Sequence, residues 1–239
     1  MINSDIKVLP ENATNTYGIL VEHDGYIAPS NQSLHEDVQR EIEDDGSYIV
    51  YATLQKADTP NRNGRIYPRD ILERENKRYQ QVIKDNASFH QLDHPDDSVV
   101  ELKGGSPHRV LETWWDGKYL FGKLEILTSP GYRKYGIASV HGDVMAMYLF
   151  EYNMTLGVSS RGIGSLKEEG KYNKVQNDFE LICWDVVSSP STPGSYIYKE
   201  KEGYKTYDKE PEDLDDIDTS GTEVKDEYIK KLQQTFFSK

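Results

Sequence analysis

Three side-chain types that together perform acyl-transfer chemistry stand at separate points of this chain. A serine pair lies in Leu156-Gly157-Val158-Ser159-Ser160-Arg161-Gly162-Ile163-Gly164-Ser165, a histidine in Leu92-Asp93-His94-Pro95-Asp96, and a carboxylate in Cys183-Trp184-Asp185-Val186-Val187-Ser188. A serine hydroxyl is a weak nucleophile at neutral pH, so a base within hydrogen-bond reach must take its proton. Imidazole has the right intrinsic basicity, and a carboxylate behind it fixes the tautomer and stabilises the cation. The serine stretch reads as a strand ending where backbone must approach a ligand closely. Neighbours on a strand point to opposite faces, so only one of Ser159 and Ser160 faces the imidazole. The spacing excludes a Gly-x-Ser-x-Gly elbow, because Gly162 lies one position too far, and no Walker lysine follows Gly164.

Other chemistries fit less well. His90 and His94 have the spacing of two metal ligands on a helix, but Pro95 disfavours the α conformation at His94 and no His-Glu-x-x-His pattern exists. The reading therefore calls for no metal and no cofactor. Asp185 shares a strand face with Phe179, Leu181, Cys183 and Val187, where an ionised carboxyl must be paired. Its partner is an imidazolium or an arginine, with Arg161 and Arg109 the candidates. Cys183 reads first as a small buried apolar side chain, and second as a rival nucleophile.

Several elements must position these groups. Residues 48–54 form a β-branched and aromatic strand, and 17–21 a short one. The loop 61–68 is rich in turn residues, and Pro68 opens a helix to about residue 84 that buries Leu72, Tyr79, Val82 and Ile83. Asp116-Gly117 marks a hairpin between strands 108–115 and 118–127, with Trp114 and Trp115 filling core and outer face. Residues 133–151 read as one helix with Ile137, Val140, Val144, Met147 and Tyr148 buried, despite Gly136 and Gly142. A strand over 179–187 follows the serine strand.

The totals bound the partners. At 239 residues, the chain holds one domain plus a tail. A net charge of -13 with no dense basic stretch argues against a nucleic-acid partner and for proteins or peptides. One cysteine forms no internal disulfide, and neither a signal pattern nor a membrane-length apolar run is present, which places the protein in a reducing cytoplasm and off the membrane. The organisation read from this is an N-terminal arm over 1–45, a main domain over 46–198, and a tail over 199–239. That tail joins an acidic linker, disordered by composition, to an amphipathic helix bearing Val224, Tyr228, Leu232 and Phe236.

In order, Asn61-Arg62-Asn63, Arg65-Ile66-Tyr67-Pro68, Leu92 with His94-Pro95, Trp114-Trp115, the Gly157 to Leu166 stretch, Asp185 and Pro190-Ser191 resemble the prohead core proteases of T-even-like tailed phages. The resemblance implies a serine endopeptidase of α+β class, a mainly antiparallel β-barrel surrounded by helices like the herpesvirus capsid-maturation protease, with an acidic C-terminal tail. It implies Ser159 as nucleophile, with Ser160 the runner-up, His94 as base and Asp185 as third member. Scaffold, core and capsid proteins would be cleaved inside the prohead, preferentially after glutamate, with scope for self-association. Arg161, Arg109 and Arg133 are then candidates for the substrate carboxylate, and Arg161 or Gly162 for the oxyanion. Two rival readings are a non-catalytic core protein of the same shell and a cysteine hydrolase using Cys183. The tail would tether the protease to scaffold or occupy its cleft.

Overall fold

The computed structural model describes residues 16–21, 47–95 and 98–198. The remainder of the expected arm, and the linker and helix expected over 199–239, lie outside the described residues. Two antiparallel-rich sheets and a few helices make an α+β fold. In one sheet the long strand β6 (Gly157–Glu169) pairs with β1 (Thr16–Val21), β7 (Tyr172–Val175) and β8 (Glu180–Val187), and β7 pairs in parallel with the two-residue β3 (Arg65–Ile66). The other sheet runs β4 (His108–Asp116), β5 (Tyr119–Ile126), β2 (Tyr48–Lys56), β9 (Ile197–Tyr198). The alternating patterns place Val50, Ala52, Leu120, Leu124 and Ile126 of this sheet, and Val158, Trp184 and Val186 of the first, in one hydrophobic core.

These sheets do not close into the barrel that the resemblance implied. One corner is stitched, since Val158 N–H donates to the Ser195 carbonyl (2.8 Å) and β9 continues onto β2. At the other side β4 meets hydroxyls rather than a strand: Val110 N–H donates to Ser88 Oγ (3.1 Å), and Ser106 Oγ donates to the His108 carbonyl (2.8 Å). Backbone groups satisfied by side chains have no need of a further strand.

The expected hairpin at Asp116-Gly117 is present, with Gly117 at φ 53. Helix α1 (Arg69–Lys84) begins after Pro68 and buries Ile71, Leu72, Glu75 and Tyr79, while Val82 and Ile83 are partly buried. A carboxylate on the inward face has a specific use. Glu75 accepts the Leu181 N–H (2.8 Å) and pairs with Arg74 and Arg78, whose guanidinium groups donate to the Phe179 and Leu181 carbonyls. The helix is thereby locked onto the start of β8. Trp115 lies beneath the Arg69 guanidinium, 3.5 Å from its ring centre, and Trp114 stacks on Phe121.

The helix expected over 133–151 is broken. Helix α2 (Pro130–Tyr135) stops at Gly136 in the left-handed conformation, α3 (His141–Ala146) starts afresh, and a π-helical turn (Met147–Glu151) ends the run. Ile137 is consequently exposed rather than buried. Two features impose the break. A side chain at Gly142 would meet the Leu127 carbonyl, and buried Asp143 accepts hydrogen bonds from Ser129, Ser139 and Val140 that a straight helix could not bring together.

Candidate active site

The serine pair sits inside β6, not at a strand end, because pairing continues on both sides through Arg161 to Ile163. The close approach that its glycines permit is internal. A Cβ at Gly162 would strike the Phe179 ring and the Glu180 carbonyl, and one at Gly164 would crowd Phe179 Cα. Gly162 therefore seats an aromatic side chain between β6 and β8.

Register decides which serine faces which group. Ser159 is paired with Asp185, Ser160 with Trp184 and Arg161 with Cys183 across the β6–β8 ladder. Directly opposed residues share a face, so Ser159, Arg161, Cys183 and Asp185 project together, and Ser160 projects with Trp184 toward the core. Ser160 Oγ is buried and makes no hydrogen bond among the described residues. A buried unsatisfied hydroxyl costs stability, so Ser160→Ala is expected to leave cleavage intact and to hold or raise unfolding free energy by up to about 1 kcal/mol, read by urea titration beside a peptide assay.

His94 reaches this face from a strand-like segment beside β8. Leu92 bridges Val186 in parallel, Val186 N–H donates to the Gln91 carbonyl (2.9 Å), and Asp93 N–H donates to the Val186 carbonyl (2.7 Å). Asp93 adopts φ 64 and Pro95 follows, which turns the chain at His94 instead of extending it. The imidazole Nδ1 lies 2.8 Å from Asp185 Oδ2. An ionised carboxylate only accepts, so Nδ1 carries the proton in that bond and the basic lone pair falls on Nε2. Nε2 is buried and makes no hydrogen bond among the described residues.

Asp185 is fully buried, and five donors surround it. Besides His94, it accepts from Gln91 N–H (2.8 Å), Arg161 Nε (2.8 Å) and Nη2 (3.3 Å), and Cys183 Sγ (3.2 Å). Burial opposes its ionisation, but the hydrogen bond and charge of His94, the charge of Arg161 and the hydrogen bond from Cys183 outweigh it and hold the carboxyl below the usual carboxylate range. Burial and the neighbouring carboxylate push the Cys183 thiol well up, away from the thiolate that a cysteine nucleophile needs.

Two of the three arginines considered for a substrate carboxylate serve internal carboxylates instead. Arg161 is fully buried against Asp185, and Arg109 of β4 pairs with Glu125 of β5 at 2.6 Å. Arg133 lies exposed on α2. Two further polar clusters were not given a structural role from sequence. Asn61 Oδ1 accepts from Asn63 and Arg65 N–H while Nδ2 donates to Ser191 Oγ (3.3 Å), and Arg62 N–H donates to the Ser191 carbonyl, which joins two motif segments into one support. Beneath the site, the His90 and His108 rings stack at 4.1 Å. His90 Nδ1 accepts the N–H of Trp184, next to Asp185.

An imidazole held by a buried carboxylate, on a mostly antiparallel α+β scaffold, is an arrangement that hydrolytic enzymes use to draw a proton from a nucleophile. Comparison with known sequences narrows the class: the chain belongs to the prohead core protein serine protease family, whose match spans residues 21–204. It is 31% identical to the prohead core protein protease of Enterobacteria phage T4 over 156 residues, 64% of this chain and 68% of that protein. Its fold is similar to that of the bacteriophage T4 capsid assembly protease, with a TM-score of 0.56 at 23% identity, covering 71% of this chain and 96% of the T4 chain. Membership assigns the protein to the proteases of phage head maturation.

Proposed function

We propose that the protein is a serine endopeptidase in which Ser159 is the nucleophile, His94 the general base and Asp185 the group that orients it. The observation that carries this reading is the 2.8 Å His94 Nδ1–Asp185 bond on the strand face that Ser159 shares with Asp185 by register. In acylation Ser159 Oγ attacks the scissile carbonyl carbon as its proton passes to His94 Nε2. The tetrahedral oxyanion collapses as His94 returns that proton to the leaving amine. Water then repeats the sequence on the acyl-enzyme. With the Arg161 guanidinium committed to Asp185, backbone amides serve the oxyanion.

The substrates proposed are core, scaffold and capsid proteins within the prohead, cut after glutamate. Of the three arginines considered for that glutamate, Arg133 remains for the role, since Arg161 and Arg109 serve internal carboxylates. The cysteine alternative has little support beside the buried, protonated Cys183 thiol.

A fluorophosphonate probe tests the reading. Ser159 is 3% exposed and the His94 side chain 4% exposed, so the probe is applied both to the free protein and with a core-protein substrate present. The expected outcome is one adduct on the Ser159 peptide by mass spectrometry, with loss of cleavage. Cleavage that survives full labelling, or an adduct confined to another residue, overturns it. Absence of both cleavage and labelling in every assembly state would favour the core-protein role.

A further inference from the structure

We infer that Arg161 is a positioning residue: its buried guanidinium fixes the Asp185 carboxylate and fastens the chain on both sides of His94. This rests on the serine-peptidase reading above and extends it to a fourth side chain. Arg161 Nε donates to Asp185 Oδ2, the same oxygen that receives His94 Nδ1, each at 2.8 Å. Nη2 reaches Oδ1 at 3.3 Å, so the fork grips both carboxylate oxygens and leaves the group no rotation about its terminal bond. The remaining donors go elsewhere. Nη2 also donates to Gln91 Oε1 (2.7 Å), three residues before His94, and Nη1 donates to the Val99 carbonyl (3.1 Å), five residues after it. One planar cation therefore sets the carboxylate that orients the imidazole and the two ends of the segment that carries it.

The choice of arginine follows from the acceptors. They belong to three stretches of chain, and only a guanidinium presents enough donors in a fixed fork to meet them together. Lysine keeps the charge but supplies three donors from a single point. The guanidinium also sets the charge on the site. The titratable groups coupled to this carboxylate are His94, Cys183 on β8, His108 on β4 and Tyr79 on α1, with His90 coupled to Arg161 itself. Among these described groups only Arg161 is a permanent cation. It shares Oδ2 with the imidazole, so removing it changes the charge that the carboxylate presents to His94.

The test uses the full chain with Arg161→Gln and Arg161→Lys, a glutamate-containing peptide, and urea unfolding to measure the folded fraction. Per folded molecule, both variants are expected to lose about 10²-fold in kcat with little change in KM, the scale of a misplaced catalytic group. In Arg161→Gln the acid limb of the kcat/KM profile moves to higher pH; in Arg161→Lys it stays near that of the wild type. A purely structural arginine would lower the folded fraction and leave kcat and pH profile of the folded molecules unchanged, which overturns the inference. If neither variant folds, Gln91→Leu decides, since it removes one acceptor and leaves the Asp185 contacts whole. It is expected to lower kcat several-fold, and an unchanged kcat refutes the clamp. Ser159→Ala run in parallel separates the two claims, because activity retained there defeats the peptidase reading whatever Arg161 does.

Discussion

Asp185→Asn is expected to lower kcat by about 10⁴-fold and to cost about 3–5 kcal/mol of unfolding free energy, two losses with different origins. The first concerns the proton on His94. An amide in place of the carboxylate puts an NH₂ group opposite either the imidazole or the guanidinium. Where it faces His94, Nδ1 must accept, the ring proton moves to Nε2, and the atom that should take the Ser159 proton already holds one. The second loss concerns Arg161, which is fully buried and meets Asp185 through two of its nitrogens. Removing the negative partner takes the carboxylate from a desolvated cation whose other contacts among the described residues include carbonyl, amide and thiol acceptors, and breaking a buried charge pair in this way is expensive. Tryptophan fluorescence during urea unfolding reads the stability, since Trp184 is buried beside the site. A folded Asp185→Asn enzyme with kcat within tenfold of the wild type would remove Asp185 from the mechanism.

How much of this could be read from the chain depends on the range of the forces involved. The hairpin at Asp116-Gly117, helix α1 and strands β2, β6 and β8 follow from local propensity and periodicity, which a short window of sequence carries. The placement of Asp185 on an apolar strand face, and its need for a partner, followed from alternation alone. Of the partners offered, an imidazole and Arg161 are present together, which alternation could not foresee, while Arg109 pairs with Glu125 instead. Register supplies that knowledge, because it brings Arg161 two pairs along the ladder from Asp185, on the same face, while the Gln91 backbone runs along the other edge of β8. The broken helix over 130–151 and the glycines of β6 were misjudged for one reason. In both, glycine answers a distant atom, the Leu127 carbonyl or the Phe179 ring, and nothing nearby in sequence reports such an approach. The closed barrel was an inference from resemblance, and edge groups met by Ser88 and Ser106 side chains are visible only in three dimensions.

The stacked histidines under the site give the second large effect, on acid stability. His90 and His108 are both fully buried, yet they are held differently. His90 accepts from the Trp184 N–H and lies 2.8 Å from Ser88 Oγ, whereas neither ring nitrogen of His108 makes a hydrogen bond among the described residues. Burial pulls His108 from 6.5 down to about 4, and burial together with its neighbour pulls His90 well below 6.5. A histidine whose folded-state pKa is depressed stays neutral in the fold while the unfolded chain takes up a proton. Its contribution is therefore full above pH 6.5 and lost as pH falls toward 4, an amount of about 3 kcal/mol for His108 alone. Asp143 and Asp185, held below the usual carboxylate range, lose their contributions only at lower pH. His108→Phe keeps a flat ring on His90 and removes the titration. The variant is expected to match or exceed the wild type at pH 7.5 and to outlast it increasingly on acidification, the gap in urea-derived stability growing by about 3 kcal/mol between pH 7 and pH 4. Parallel stability curves for the two proteins would show that His108 is not the group whose protonation opens the fold. His90→Phe should start below the wild type at pH 7.5, because it strands the Trp184 N–H one residue from the carboxylate that holds His94, and the deficit should narrow on acidification as the variant loses a histidine whose pKa the fold depresses.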